Sequence, residues 1–145
     1  MAKQMSPLRL LQEIYYPNEW RILVCTILLN QTTGVQVHQV IKELFKKYPN
    51  AKAMANANRN ELKKIITSLG LYNKRTDTLI RFSQEYLWMD WKNPKELHGI
   101  GEYAYHSWLI FINGATNCKP NDKELKKYVK WQKSMRCKSS RESNT

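Results

Sequence analysis

Cysteine is scarce in this chain, and its three copies, Cys25, Cys118 and Cys137, lie far apart. An odd, scattered set of thiols makes neither a disulfide framework nor a Cys-x-x-Cys metal cluster. Cys25, inside an apolar run, reads as a core thiol. Long apolar runs are missing too. No stretch approaches the ~20 residues that a membrane span needs, and no secretory signal opens the chain; a reducing interior is the expected compartment. Alternating strand patterns are hard to find, and internal repeats and linkers are not seen. Acidic residues are the last shortage: 12 Asp and Glu stand against 24 Lys and Arg, a formal net charge of +12. Residues 119–145 hold nine basic and three acidic residues, which is +6 of that excess. Such a balance favours a polyanionic partner, because each phosphate met by Lys or Arg releases condensed counterions. An anionic membrane surface would draw the same charge.

What is present forms helices. Hydrophobic residues make up 42% and aromatics 11% of 145 residues, enough for the core of about one domain. Apolar residues recur at helical spacing throughout. Trp20, Leu23, Val24, Ile27 and Leu28 predict a buried helix over 19–30, followed by a polar break at 30–34. Val37, Val40, Ile41, Leu44 and Phe45 predict a second helix, with Lys42, Lys46 and Lys47 on its wet side and Pro49 at its end. Asn50 is positioned to cap a short helix, and Asn60 another through Leu62, Ile65, Ile66 and Leu69 that Gly70 stops. A loop at 71–75 leads to a longer helix through Leu79, Phe82 and Tyr86. An apolar helix carries Trp108, Leu109, Phe111 and Ile112. A basic amphipathic helix then begins near Asp122 and carries Leu125, Tyr128, Val129 and Trp131. The domain reads as residues 1–135, with 136–145 as a basic flexible tail.

Three segments carry candidate chemistry. In Leu97-His98-Gly99-Ile100-Gly101, glycines flank an apolar residue before a helix, which lets backbone N–H groups meet a phosphate; an ordinary helical corner would look the same. Asp122, after Lys119-Pro120-Asn121, is first of all a helix cap. A carboxylate there can also stabilise the cationic sugar formed when a glycosidic bond breaks, or orient water. The loops 30–34 and 70–75 offer an amide (Gln31) to read an orphaned base, an apolar wedge (Leu71), and cations for phosphates (Lys74, Arg75). Taken alone, each of these reads first as a plain loop residue, with Leu71 a common hydrophobic contact after a helix-ending Gly.

In their order, these blocks resemble the helix–hairpin–helix DNA glycosylase superfamily over roughly residues 6–131. Leu-Asn-Gln-Thr-Thr comes first, then Leu-Gly-Leu-Tyr-Asn-Lys-Arg, the Gly-Ile-Gly hairpin, and an Asp about twenty residues on. Phe-Ser-Gln-Glu-Tyr-Leu at 82–87, Glu-Leu-His-Gly-Ile-Gly at 96–101 and Lys-Tyr-Val-Lys-Trp at 127–131 are similar to the branch of methyl-CpG-binding mismatch thymine/uracil glycosylases.

The resemblance implies an all-α, two-lobed fold with a DNA-binding cleft between the lobes. A bundle from about Trp20 to Tyr103 would make one lobe, and the chain ends would pair in the other. It implies Asp122 as the catalytic carboxylate, Gln12 and Tyr103 around the flipped pyrimidine, and Leu71 as the wedge. Gln31, Thr32, Lys74, Arg75, Gly99, Ile100 and Gly101 would meet DNA. Tyr103 stands where lyases of the superfamily carry a Schiff-base Lys, so a monofunctional enzyme is expected. Four closely spaced thiolates for an iron–sulfur cluster are lacking, and no cofactor or metal is expected. Gln31 replaces the Arg of vertebrate thymine glycosylases and resembles the Gln-Thr of the endonuclease III branch. The chain is also expected to lack a methyl-CpG-binding module. The implied activity is base excision repair of thymine or uracil mispaired with guanine, by a nuclear monomer acting on double-stranded DNA that contains a mismatched or damaged base. Alternatives are a non-catalytic helix–hairpin–helix DNA-binding module, or a glycosylase for adenine or for an alkylated or oxidised base.

Overall fold

Local capping sets most helix boundaries. In a computed structural model, residues 5–115 and 118–143 are described, with side chains through residue 136. The α-helices are α1 (Leu11–Tyr15), α2 (Glu19–Leu29), α3 (Gly34–Lys47), α4 (Ala51–Ala55), α5 (Arg59–Ile66), α6 (Tyr72–Trp88), α7 (Glu102–Phe111) and α8 (Lys123–Ser143). Asn18 accepts from the Arg21 N–H to start α2, and Asn50 accepts from Ala53 N–H to start α4. Thr33 and Gln36 form a reciprocal capping box on α3, so the polar break at 30–34 is also the start signal of the next helix. No strand occurs among the described residues, and none of their helices is long and apolar enough to cross a membrane.

Three boundaries differ from expectation. Asn58, not Asn60, caps α5, its side chain accepting from the N–H groups of Asn60 and Glu61. Helix α6 begins at Tyr72, so only Leu71 remains of the loop expected at 71–75. The cause is a left-handed Leu71 (φ 47°, ψ 35°), which reverses the chain in one residue and whose carbonyl takes the Arg75 N–H at 2.9 Å. Helix α8 continues to Ser143, past the residue at which the sequence ends the domain.

Two apolar cores follow from the amphipathic faces. The larger gathers α2–α6 with the hairpin and the start of α7, including Leu23, Leu28, Leu44, Met54, Leu79 and Phe82, all fully buried. Cys25 lies fully buried within it, and burial pushes its thiol pKa up. The smaller joins the chain's two ends: Leu8 and Leu10 pack with Ile110, Phe111, Leu125 and Tyr128. Phe111 and Tyr128 rings lie 4.6 Å apart. Ile22 of α2 enters this second core, and Glu19 bridges α6 and α7 by accepting from Tyr86 and Trp108, both at 2.8 Å. Helices α2 and α7 each contribute to both cores, and a cleft lies between the lobes.

Candidate base pocket and nucleic-acid interface

The cleft between the lobes encloses about 610 Å³ and is walled by residues 8–12, 29–35, His38, Tyr103, Asp122 and Glu124. Gln12 sits in α1 at 1% exposure. Its Nε2 donates to the Tyr103 hydroxyl at 2.8 Å and to Ser107 Oγ at 3.1 Å. Its Oε1 is buried with no hydrogen-bond partner among the described residues. Burial, chiefly, raises the Tyr103 pKa; the Gln12 bond opposes this and the Asp122 charge adds to it. Tyr103 is thus a neutral phenol whose oxygen accepts from Gln12 while its own O–H stays free to donate. Asp122 Oδ2 accepts the Leu125 N–H at 3.0 Å. That fixes the carboxylate at the start of α8 and leaves Oδ1 without a partner among the described residues. Three residues far apart in sequence therefore meet in one pocket.

A second cavity of about 400 Å³ adjoins it, walled by Gln31, Leu71, Lys74, Arg75, Thr78 and the hairpin 98–101. Gln31 lines both cavities. Gln31 (φ 64°) and Leu71 (φ 47°) are left-handed, a conformation unfavourable for residues other than glycine, and Leu71 is 56% exposed. Two strained tips thus face one groove.

The hairpin glycines differ in kind. Gly99 has φ 86°, and a Cβ there would lie 2.6 Å from Thr78 Cγ2, whereas one on Gly101 would meet nothing within 4 Å. The fold itself requires Gly99; only an external ligand would require Gly101. Gly99→Ala should therefore lower stability by ~1–3 kcal/mol, and Gly101→Ala by ~1 kcal/mol or less. Equal shifts of the two variants in thermal melts would contradict the distinction.

Not every residue expected to meet DNA is free to do so. Arg75 is 6% exposed. Its Nη1 donates to the Leu69 carbonyl at 2.6 Å and the Gly70 carbonyl at 3.3 Å, and its Nη2 to the Asn30 carbonyl at 2.7 Å. Through these carbonyls it staples the two loops together. Thr32 donates its hydroxyl to the Leu28 carbonyl and its N–H to Leu29, so both of its donors serve the end of α2. Ile100 is 9% exposed in the larger core, and its N–H goes to Leu97. The hairpin can offer an anion only its glycine backbone and the first turn of α7. Lys74 is exposed, in the first turn of α6.

Some pocket residues escaped the sequence. Ser107 lies one turn after Tyr103 on the same face of α7, a spacing that could have revealed it. Glu124 and His38 had no local signal. Arg9, on the cleft wall, is a third left-handed residue, with φ 48°.

Comparison with known proteins identifies the family. The family model "HhH-GPD superfamily base excision DNA repair protein" matches residues 24–144, and the chain belongs to that superfamily. It is 42% identical over 124 residues to the Methyl-CpG-binding domain protein 4-like protein of Arabidopsis thaliana, covering 85% of this chain and 28% of the relative. It is 35% identical over 103 residues to the Thymine-DNA glycosylase of Aeropyrum pernix, covering 66% and 46% respectively. The chain thus spans less than half the length of these relatives. Its fold matches the structure of a thermostable thymine-DNA glycosylase with a TM-score of 0.66 at 22% identity, covering 78% of this chain and 53% of the other.

Proposed function

We propose that this chain is a monofunctional DNA glycosylase that removes thymine or uracil mispaired with guanine, by base flipping and hydrolysis. The observation that carries the reading is the pocket formed by Gln12, Tyr103 and Asp122. A buried amide oxygen without a donor is destabilising until something donates to it. Thymine and uracil present an imide N–H between two carbonyls, which suits the Gln12 oxygen and the Tyr103 O–H together. Asp122 has one oxygen tied to α8 and one toward the cleft, and would stabilise the oxocarbenium-like sugar while water attacks. Leu71 would fill the hole left in the duplex and Gln31 would engage the orphaned guanine, while Lys74 and the start of α7 meet phosphates. A tyrosine offers no amine for a Schiff base, so no strand-cutting step accompanies excision. The names of the relatives support thymine and uracil as the bases.

Single-turnover assays on G·T, G·U and matched duplexes test this. Excision should appear on the two mispairs, with strand breaks only after alkali and no adduct trapped by borohydride. A trapped adduct would mean that a lysine performs covalent chemistry. DNA binding without excision would leave a tethering module. If about five phosphates are neutralised, log K should fall against log salt with a slope near −4.5.

A further inference from the structure

Among the described residues, Gln31, Leu71 and Arg9 are the non-glycine residues with positive φ, at 64°, 47° and 48°. All three line the two cavities. The first two are the residues whose side chains suit the orphaned base and the wedge; Arg9 has no role in that scheme. An outlier confined to such a wall points to a use for the side chain held there. Glycine adopts this backbone region freely, as Gly70, Gly99 and Gly114 do, so the turn itself makes no demand for arginine.

The turn bearing Arg9 is tied down by hydrogen bonds and packing. The Glu13 carboxylate accepts from the Ser6 N–H at 2.6 Å, the Ser6 hydroxyl at 2.8 Å and the Leu10 N–H at 2.7 Å. The Arg9 N–H donates to the Ser6 carbonyl at 3.2 Å. On either side, Leu8 and Leu10 pack into the smaller core. Glu13, the nearest acid in sequence, is thus occupied by backbone and hydroxyl groups. The exposed Arg9 side chain has no hydrogen bond or ion pair among the described residues, and Asp122 and Glu124 on the same cleft wall are not paired with it. An exposed arginine, unpaired among the described residues, thus lines the pocket.

We propose that Arg9 is a phosphate-binding residue that holds the phosphodiester flanking the flipped nucleotide. The inference rests on the base-flipping reading above. If the sugar lies beside Asp122 and the base beside Gln12, the rotated backbone must cross the mouth of the same cleft. A guanidinium fork matches phosphate oxygens two at a time. The contact forms only once the nucleotide has swung out, so Arg9 favours the extrahelical state over the stacked one.

Arg9→Gly tests this, because glycine keeps the turn without strain and removes only the cation. The probes are a duplex with guanine opposite a tetrahydrofuran abasic-site analogue and the matched duplex. The variant should bind the abasic duplex about tenfold more weakly, and its salt slope there should be shallower by about 0.9, one phosphate's share. Binding to the matched duplex should hardly change, and the melting temperature should hold or rise. Arg9→Lys, which keeps a cation, should retain the wild-type slope. An unchanged slope in Arg9→Gly, with wild-type protein excising from G·U normally, overturns the Arg9 proposal alone. Wild-type protein that neither excises nor binds the abasic duplex overturns the functional reading and this proposal with it.

Discussion

Asp122→Asn should slow single-turnover excision from G·U and G·T duplexes by at least about a hundredfold, with little change in melting temperature or mismatch affinity. Asparagine keeps the shape and an oxygen able to accept the Leu125 N–H, so the cap should survive with a change below ~1 kcal/mol. What disappears is the negative charge. Electrostatic stabilisation of charge developing in a transition state is commonly worth ~3–4 kcal/mol, and each 1.36 kcal/mol is about tenfold in rate. Near-native cleavage by the variant would reduce Asp122 to a helix cap. Should the variant fail to fold, Asp122→Ser, another good cap without the charge, replaces it in the same pair of measurements.

Arg75→Met should destabilise the protein by roughly 2–4 kcal/mol, far more than loss of a surface cation would. Methionine fills much of the same space but leaves the carbonyls of Leu69 and Asn30 without their short contacts of 2.6 and 2.7 Å. Both carbonyls flank strained tips, Leu71 on one side and Gln31 on the other, so the loops should lose their mutual register as well. The measurement is a denaturant melt beside a salt titration of duplex binding. A small stability change with a shallower salt slope would return Arg75 to the role of phosphate ligand.

The fold was largely readable because its signals are local. Apolar residues at helical spacing marked α2, α3 and the later helices, and Asn50, Gly70 and Asp122 were identifiable at their ends. The pairing of Gln12 with Tyr103 came through the family resemblance, since nothing in the spacing of residues 91 apart announces a contact. The burial of Arg75 is not legible in the sequence, for a physical reason. A basic residue in a short polar segment looks solvated, whereas here the carbonyls of Leu69 and Gly70 and of the returning Asn30 surround it. Thr32 and Ile100 differ from Arg75 in that their partners, Leu28 and Leu97, are local, in the helix end and the turn just before them. Positive φ at Arg9 and Leu71 is likewise invisible in sequence, as neither is a residue type that favours it.

The smaller core, made from both ends of the chain, has a consequence for the order of biosynthesis. Residues 31–101, which carry both loops and the hairpin, leave the ribosome before α8 exists. The amide wall of the pocket is made first, at residue 12, and the carboxylate wall comes last, at residue 122. Tyr128, buried against Phe111, comes later still. No N-terminal fragment that stops short of residue 122 contains both walls. On the proposed reading, a chain truncated before residue 122 would lack the carboxylate and should not excise a base, whatever its affinity for DNA.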